Sequence, residues 1–100
     1  MLIIRFKLQC QPEKTEQVMA ALKDVITPSR GLSGVLNFDI GRDLIDPNSF
    51  IATEVFEDNE ALERQEAQAE VQKVISLLED SVTAPPEATI YEVASAKLWG

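Results

Sequence analysis

Val35-Leu36-Asn37-Phe38-Asp39-Ile40-Gly41-Arg42, followed by Asp46-Pro47-Asn48-Ser49 and then Phe50-Ile51-Ala52-Thr53-Glu54-Val55-Phe56, is the stretch from which the fold can be read. Leu36, Phe38 and Ile40 alternate with Val35, Asn37, Asp39 and Gly41, which is the period of a half-buried strand. Asp46-Pro47-Asn48-Ser49 is turn chemistry: proline presets φ, and Asp and Asn side chains bond back to the main chain. Phe50 to Phe56 is rich in β-formers and follows at once, so the two runs predict an antiparallel hairpin.

Either side of this hairpin the pattern repeats in mirror order. Upstream, Leu2, Ile4, Phe6 and Leu8 alternate with Ile3, Arg5, Lys7 and Gln9, a strand whose second face is only partly polar. Gln11-Pro12-Glu13 opens a helix, with acidic residues suited to its N-terminal end. Val18, Leu22, Val25 and Ile26, with Met19 at the edge, form its apolar stripe, and Thr27-Pro28 is expected to end it. Downstream, Asp58 or Asn59 can cap a helical stretch running to about Val82. Its polar middle, residues 63–70, predicts a break near Ala67 to Glu70. After Pro85-Pro86, Ala88 to Ser95 reads as the last strand, and residues 96–100 as a tail with apolar Leu98 and Trp99. The order β-α-β-β-α-β predicts one α+β domain over residues 1–100, of the ferredoxin-like kind, with a four-stranded antiparallel sheet. Helices on one face leave the other to water, ligand or a subunit, and the partly apolar second face favours a homodimer.

Composition narrows the function. The chain has 100 residues, 9 basic and 17 acidic, for a net charge of −8. Phosphate contacts need clustered Lys and Arg, so nucleic acid and anionic membrane are not expected as partners. The N-terminus lacks the basic and long apolar regions of a signal peptide, no run approaches a membrane span, and a cytoplasmic location is expected. Cys10 is the only cysteine and there is no histidine, which excludes an intrachain disulfide and Ser-His or Cys-His catalysis. No metal site is expected.

Gly34 to Asp43, Asp46-Pro47-Asn48-Ser49-Phe50, Glu54-Val55-Phe56-Glu57-Asp58 with Ala61-Leu62, and the closing Pro85-Pro86 and Tyr91-Glu92-Val93 together resemble the antibiotic-biosynthesis monooxygenase family over nearly the whole chain. The resemblance implies a dimeric α+β barrel in which two sheets pack face to face. It also implies a range of reactions: cofactor-independent oxygenation of quinols and anthrones, haem degradation, and isomerisation of a phosphorylated signalling molecule. The family pattern departs here at Phe56, where a tryptophan is usual, and near Gln65 and Glu70, where histidines are often found. The haem-degrading branch resembles a trio of Asn, Trp and His that this chain lacks, with Ile4 at the Asn position.

The resulting expectation is a cofactor-independent monooxygenase of a small aromatic or quinol-like compound, using O2 directly. Such chemistry asks for an apolar pocket, a base and a donor for the developing anion. Glu54 is the candidate base, with pairing to Arg5 or Arg42 as the competing reading of the same residue. Asn37 is the candidate oxyanion donor, and Phe38, Phe56 and Tyr91 are candidates for contact with the substrate. The alternatives are a non-catalytic dimeric ligand-binding protein and, more weakly, a small-molecule isomerase.

Overall fold

The computed structural model describes residues 1–100. Its four strands are β1 (Leu2–Gln9), β2 (Val35–Arg42), β3 (Ser49–Phe56) and β4 (Glu87–Glu92). They form one antiparallel sheet in the order β2-β3-β1-β4. A 3-10 turn (Pro12–Lys14) leads into α1 (Thr15–Arg30), and α2 (Asn59–Glu66) and α3 (Ala69–Leu78) fill the second crossover. This is the ferredoxin-like order, with the expected break in the second helical stretch.

The hairpin turn is built from carboxylates. Asp43 accepts from the backbone of Ile45 and Asp46, and Asp46 accepts from the Asn48 backbone, the Ser49 hydroxyl and the Gln9 amide. Thr15 at the start of α1 donates to Asn48 at 2.8 Å, which ties the helix to the turn. The turn thus fixes where β2 and β3 begin to pair, and register follows from that. Within it two apolar residues, Leu44 and Ile45, stand almost fully exposed.

Register places Leu2, Ile4, Phe6 and Leu8 on the helix-covered face, with Phe50, Ala52, Glu54 and Phe56 opposite them on β3. On β2 a bulge intervenes: Val35 pairs with Phe56, and Asn37 with Val55, so Leu36 is the extra residue. The simple alternation read from the sequence fails here. The bulge turns Val35 to the core and leaves Leu36 half exposed, while Phe38 and Ile40 keep the covered face. Val35 therefore does not belong to the apolar part of the uncovered face.

The helix α1 buries Val18, Ala21, Leu22, Val25 and Ser29, close to the stripe seen in the sequence. It does not stop at Thr27-Pro28 as expected but continues to Arg30. Proline forfeits one backbone bond, but the Gly31 N–H closes the end on Thr27, and Arg30 bonds the Phe38 carbonyl and the Asp39 side chain. The wholly buried Ser29 hydroxyl meanwhile accepts from Gln65 and Gln68. These contacts hold the last turn against the local preference. At the other crossover Asp58 caps α2, accepting from the Ala61 backbone at 2.9 Å.

At Gly34 the backbone has φ +83° and packs against α2, where an added methyl would lie 2.6 Å from the Ala61 side chain. Both the left-handed backbone and the close approach call for glycine. Gly34→Ala is expected to lower unfolding free energy by about 2–3 kcal/mol in urea denaturation. A loss within ~0.5 kcal/mol would show that α2 is free to move away.

Candidate functional site

Helices α1, α2 and α3 lie on one face of the sheet, and between the two layers is a cavity of about 320 Å³. The strands contribute Ile4, Phe6 and Leu8 from β1, Phe38 and Ile40 from β2, and Phe50, Ala52 and Glu54 from β3. Leu22 and Val25 of α1 and the apolar stripe of α3 form the roof. Ile75 and Ile90, both about half exposed, line the side of the cavity next to β4, whose residues are all exposed.

Glu54, Gln65 and Glu66 are the polar side chains that line this space, and no Lys or Arg reaches it. Glu54 projects from an inner strand, with Ile4 on one side and Phe38 on the other. It takes part in no ion pair. Arg42 is engaged by Glu16 at 3.3 Å and lies over the Phe50 ring, while Arg5, paired with Thr53, is on the opposite face of the sheet. The competing reading of Glu54 as a paired carboxylate therefore has no partner in the structure. Burial pushes its carboxyl up to about 7, and the nearby Glu66 carboxylate pushes the same way.

Gln65 is 4% exposed. Its Nε2 donates to Ser29 Oγ at 3.3 Å, and Gln68 Nε2 donates to the same oxygen at 3.0 Å. Sequence reasoning noted Gln65 only as a place where the family often has histidine and passed over Glu66, because residues 63–70 are so polar. The signal was present: Gln65 follows the buried Ala61 and Leu62 by four and three residues, which places it on the same helix face.

The five residues singled out from the sequence separate. Phe38 and Glu54 meet in the cavity, as cross-strand neighbours. Phe56 is wholly buried on the same face but lies outside the cavity lining, packed in the core. Asn37 and Tyr91 lie elsewhere. Adjacent strand residues point to opposite faces, so Asn37 beside Phe38 is exposed on the uncovered side. Tyr91 pairs with Ile3 and shares that outer face, half exposed. Neither reaches a molecule held beside Glu54 in the same chain.

Residues 1–77 match the family model described as "Antibiotic biosynthesis monooxygenase". The chain belongs to this family. Its fold is shared by a Deinococcus radiodurans protein of the same family name, with a TM-score of 0.87, 25% identity and 100% of each chain covered. The protein PA3566 of Pseudomonas aeruginosa aligns with a TM-score of 0.83 and 23% identity, over 93% of this chain and 94% of that one. Rv0793 of Mycobacterium tuberculosis gives 0.86 and 16%, over 95% and 96%. By sequence, the uncharacterized protein sll1783 of Synechocystis is 24% identical over 96 residues, which are 96% of this chain. The chain spans 65% of that cyanobacterial relative's length. No helix is long and apolar enough to cross a membrane, and no group of His, Cys, Asp or Glu side chains is arranged to hold a metal.

The site also shapes stability. Between the ordinary carboxylate value of 4.5 and about 7, the folded chain keeps a proton on Glu54 that the unfolded chain has released. Stability accordingly falls as pH rises through that window, by up to about 3 kcal/mol. Asp43 and Asp46 act with the opposite sign. Hydrogen bonds hold their carboxyls below the usual range, so their contribution is present above 3.8 and lost as pH drops further. The melting temperature is expected to peak at about pH 4. Glu54→Gln should remove most of the decline toward pH 8, making the variant more stable than wild type there. Equal slopes in both proteins would show that Glu54 is solvated and ionised throughout.

Proposed function

We propose that this protein is a cofactor-independent monooxygenase of a small, electron-rich aromatic compound, with Glu54 as the base. The observation that carries the proposal is an unpaired carboxylate, poised near neutrality, in an otherwise apolar cavity of ligand size. A volume of about 320 Å³ lies at the lower end of the range for small-molecule sites and suits a compound of two or three fused rings.

The chemistry asks little of the protein. Glu54 takes the proton from a phenolic hydroxyl or an acidic ring carbon, and the resulting anion is electron-rich enough to pass an electron to O2. One oxygen atom enters the ring compound and the other leaves as water. A base with a pKa near 7 has a useful fraction ionised at neutral pH and a conjugate acid able to return the proton. Once protonated, Glu54 becomes the hydrogen-bond donor that the apolar lining otherwise lacks. Phe38, its cross-strand neighbour, gives the ring a flat wall.

A second reading, ligand binding without turnover, is favoured by Phe56. It fills the core where the family often carries tryptophan and does not reach the cavity. The isomerase alternative fits less well, because a phosphorylated substrate would meet two carboxylates and no cation.

We also propose a homodimer through the uncovered face of the sheet. Ile3, Ile51, Val55 and Tyr91 give that face an apolar centre that one chain leaves partly exposed. Val55→Asp is expected to give a monomer by sedimentation velocity. A wild-type monomer at micromolar concentration would overturn the assignment.

Oxygen uptake by metal-free protein against a panel of anthrones and naphthols tests the activity. Uptake above the spontaneous rate is expected, rising as pH passes through about 7. Glu54→Gln is expected to lower the rate by roughly 10²–10⁴-fold. An undiminished rate in that variant would remove Glu54 from the mechanism. Binding without uptake across the panel would favour the second reading.

A further inference from the structure

The polar groups of the cavity share one character. Glu54 and Glu66 are carboxylates, and Gln65 turns its amide nitrogen to Ser29, so its Oε1 accepts no hydrogen bond from the protein. Glu54 stands on the sheet, whereas Gln65 and Glu66 stand on α2, so acceptors face the space from both layers. Their neighbours supply no balancing charge: β1 presents Ile4 and Phe6, β2 presents Phe38 and Ile40, and α3 presents Val71, Val74 and Ile75. Three of the chain's cations near the sheet are already paired, Lys7 with Asp43, Arg30 with Asp39 and Arg42 with Glu16. Two carboxylates with no cation beside them leave the polar edge of the cavity without a balancing charge.

We propose that the cavity selects an aromatic compound bearing a protonated amine, whose ammonium group is held among Glu54, Glu66 and the Gln65 side-chain oxygen while its rings fill the apolar space. This rests on the reading of the cavity as the binding site and deepens it by naming a substrate class, but it does not depend on turnover. An ammonium group carries three donors and no acceptor, which matches a lining that offers acceptors. Its charge also replaces the proton that Glu54 otherwise retains, so binding releases a proton near neutral pH. A carboxylate or phosphate in the same position meets like charge and finds no cation.

The test uses three ligands of one shape: 1-naphthylmethylamine, 1-naphthylmethanol and 1-naphthoic acid. Binding to the full chain is measured by calorimetry at pH 7, in two buffers of different ionisation enthalpy, with backbone NMR shifts to locate each ligand. The amine is expected to bind roughly tenfold or more tightly than the alcohol, as charge-assisted hydrogen bonds imply. It should release a fraction of a proton on binding, and the acid should show no measurable affinity. Glu66→Gln, at an exposed position that tolerates substitution, is expected to weaken the amine several-fold and leave the alcohol unchanged. Equal affinity for amine and alcohol, or shifts located away from β3 and α2, would overturn the proposal. Because the readout is binding, that failure is distinct from failure of the oxygenase reading, which appears as absent oxygen uptake.

Discussion

The register between β2 and β3 decides which side chains the cavity receives. It is set at one end by Asp43 and Asp46, which gather the hydrogen bonds of the turn, and at the other by the bulge at Leu36. Between these two points Phe38 is held opposite Glu54, and Ile40 opposite Ala52. A slip of one residue would send Phe38 and Ile40 outward and bring Asn37 and Asp39 against the core, a change no apolar roof would tolerate. The turn is also joined to β1 through Gln9 and to α1 through Thr15, so the same few polar contacts align three elements.

Given that register, the electrostatics of the cavity follow from position. An inner strand presents a carboxylate to a space roofed by Leu, Val and Ile side chains, and the arginines that could neutralise it are held elsewhere: one on the far face, one over Phe50, one at the end of α1. The group then has two stable conditions, protonated or matched by a ligand. Fold and proposed function are in tension here, because the cavity is most stable when Glu54 is neutral, while the proposed proton abstraction needs it ionised.

Much of this was legible in the residues. Period-two alternation gave β1 and β2 their bounds, and the polar interval at 63–70 foretold that α2 and α3 are separate. What escaped had physical causes. Alternation cannot reveal a bulge, so Val35 and Leu36 were assigned to the wrong sides. Local rules put a helix end at Pro28, but burial of Ser29 and the bonds of Arg30 outweighed them. Glu54 was identifiable because a carboxylate amid strand apolars is uncommon. Asn37 and Tyr91 lie on the uncovered face, and side-chain chemistry alone does not say which face of a sheet a residue occupies. The burial of Gln65 was not legible for the converse reason: its neighbours in sequence are polar and exposed, and only the packing of α2 on α1 and the sheet covers it.

The break between α2 and α3 separates two tasks. The eight residues of α2 carry the polar groups Gln65 and Glu66, whereas α3 carries most of the apolar roof that packs on α1. A substitution at the exposed Glu66 of α2 therefore changes the polar edge of the proposed binding cavity while the roof stays intact. Selection could act on ligand preference there without first repairing the fold, and a lineage of such proteins could drift from one small molecule to another by changes confined to a single short helix.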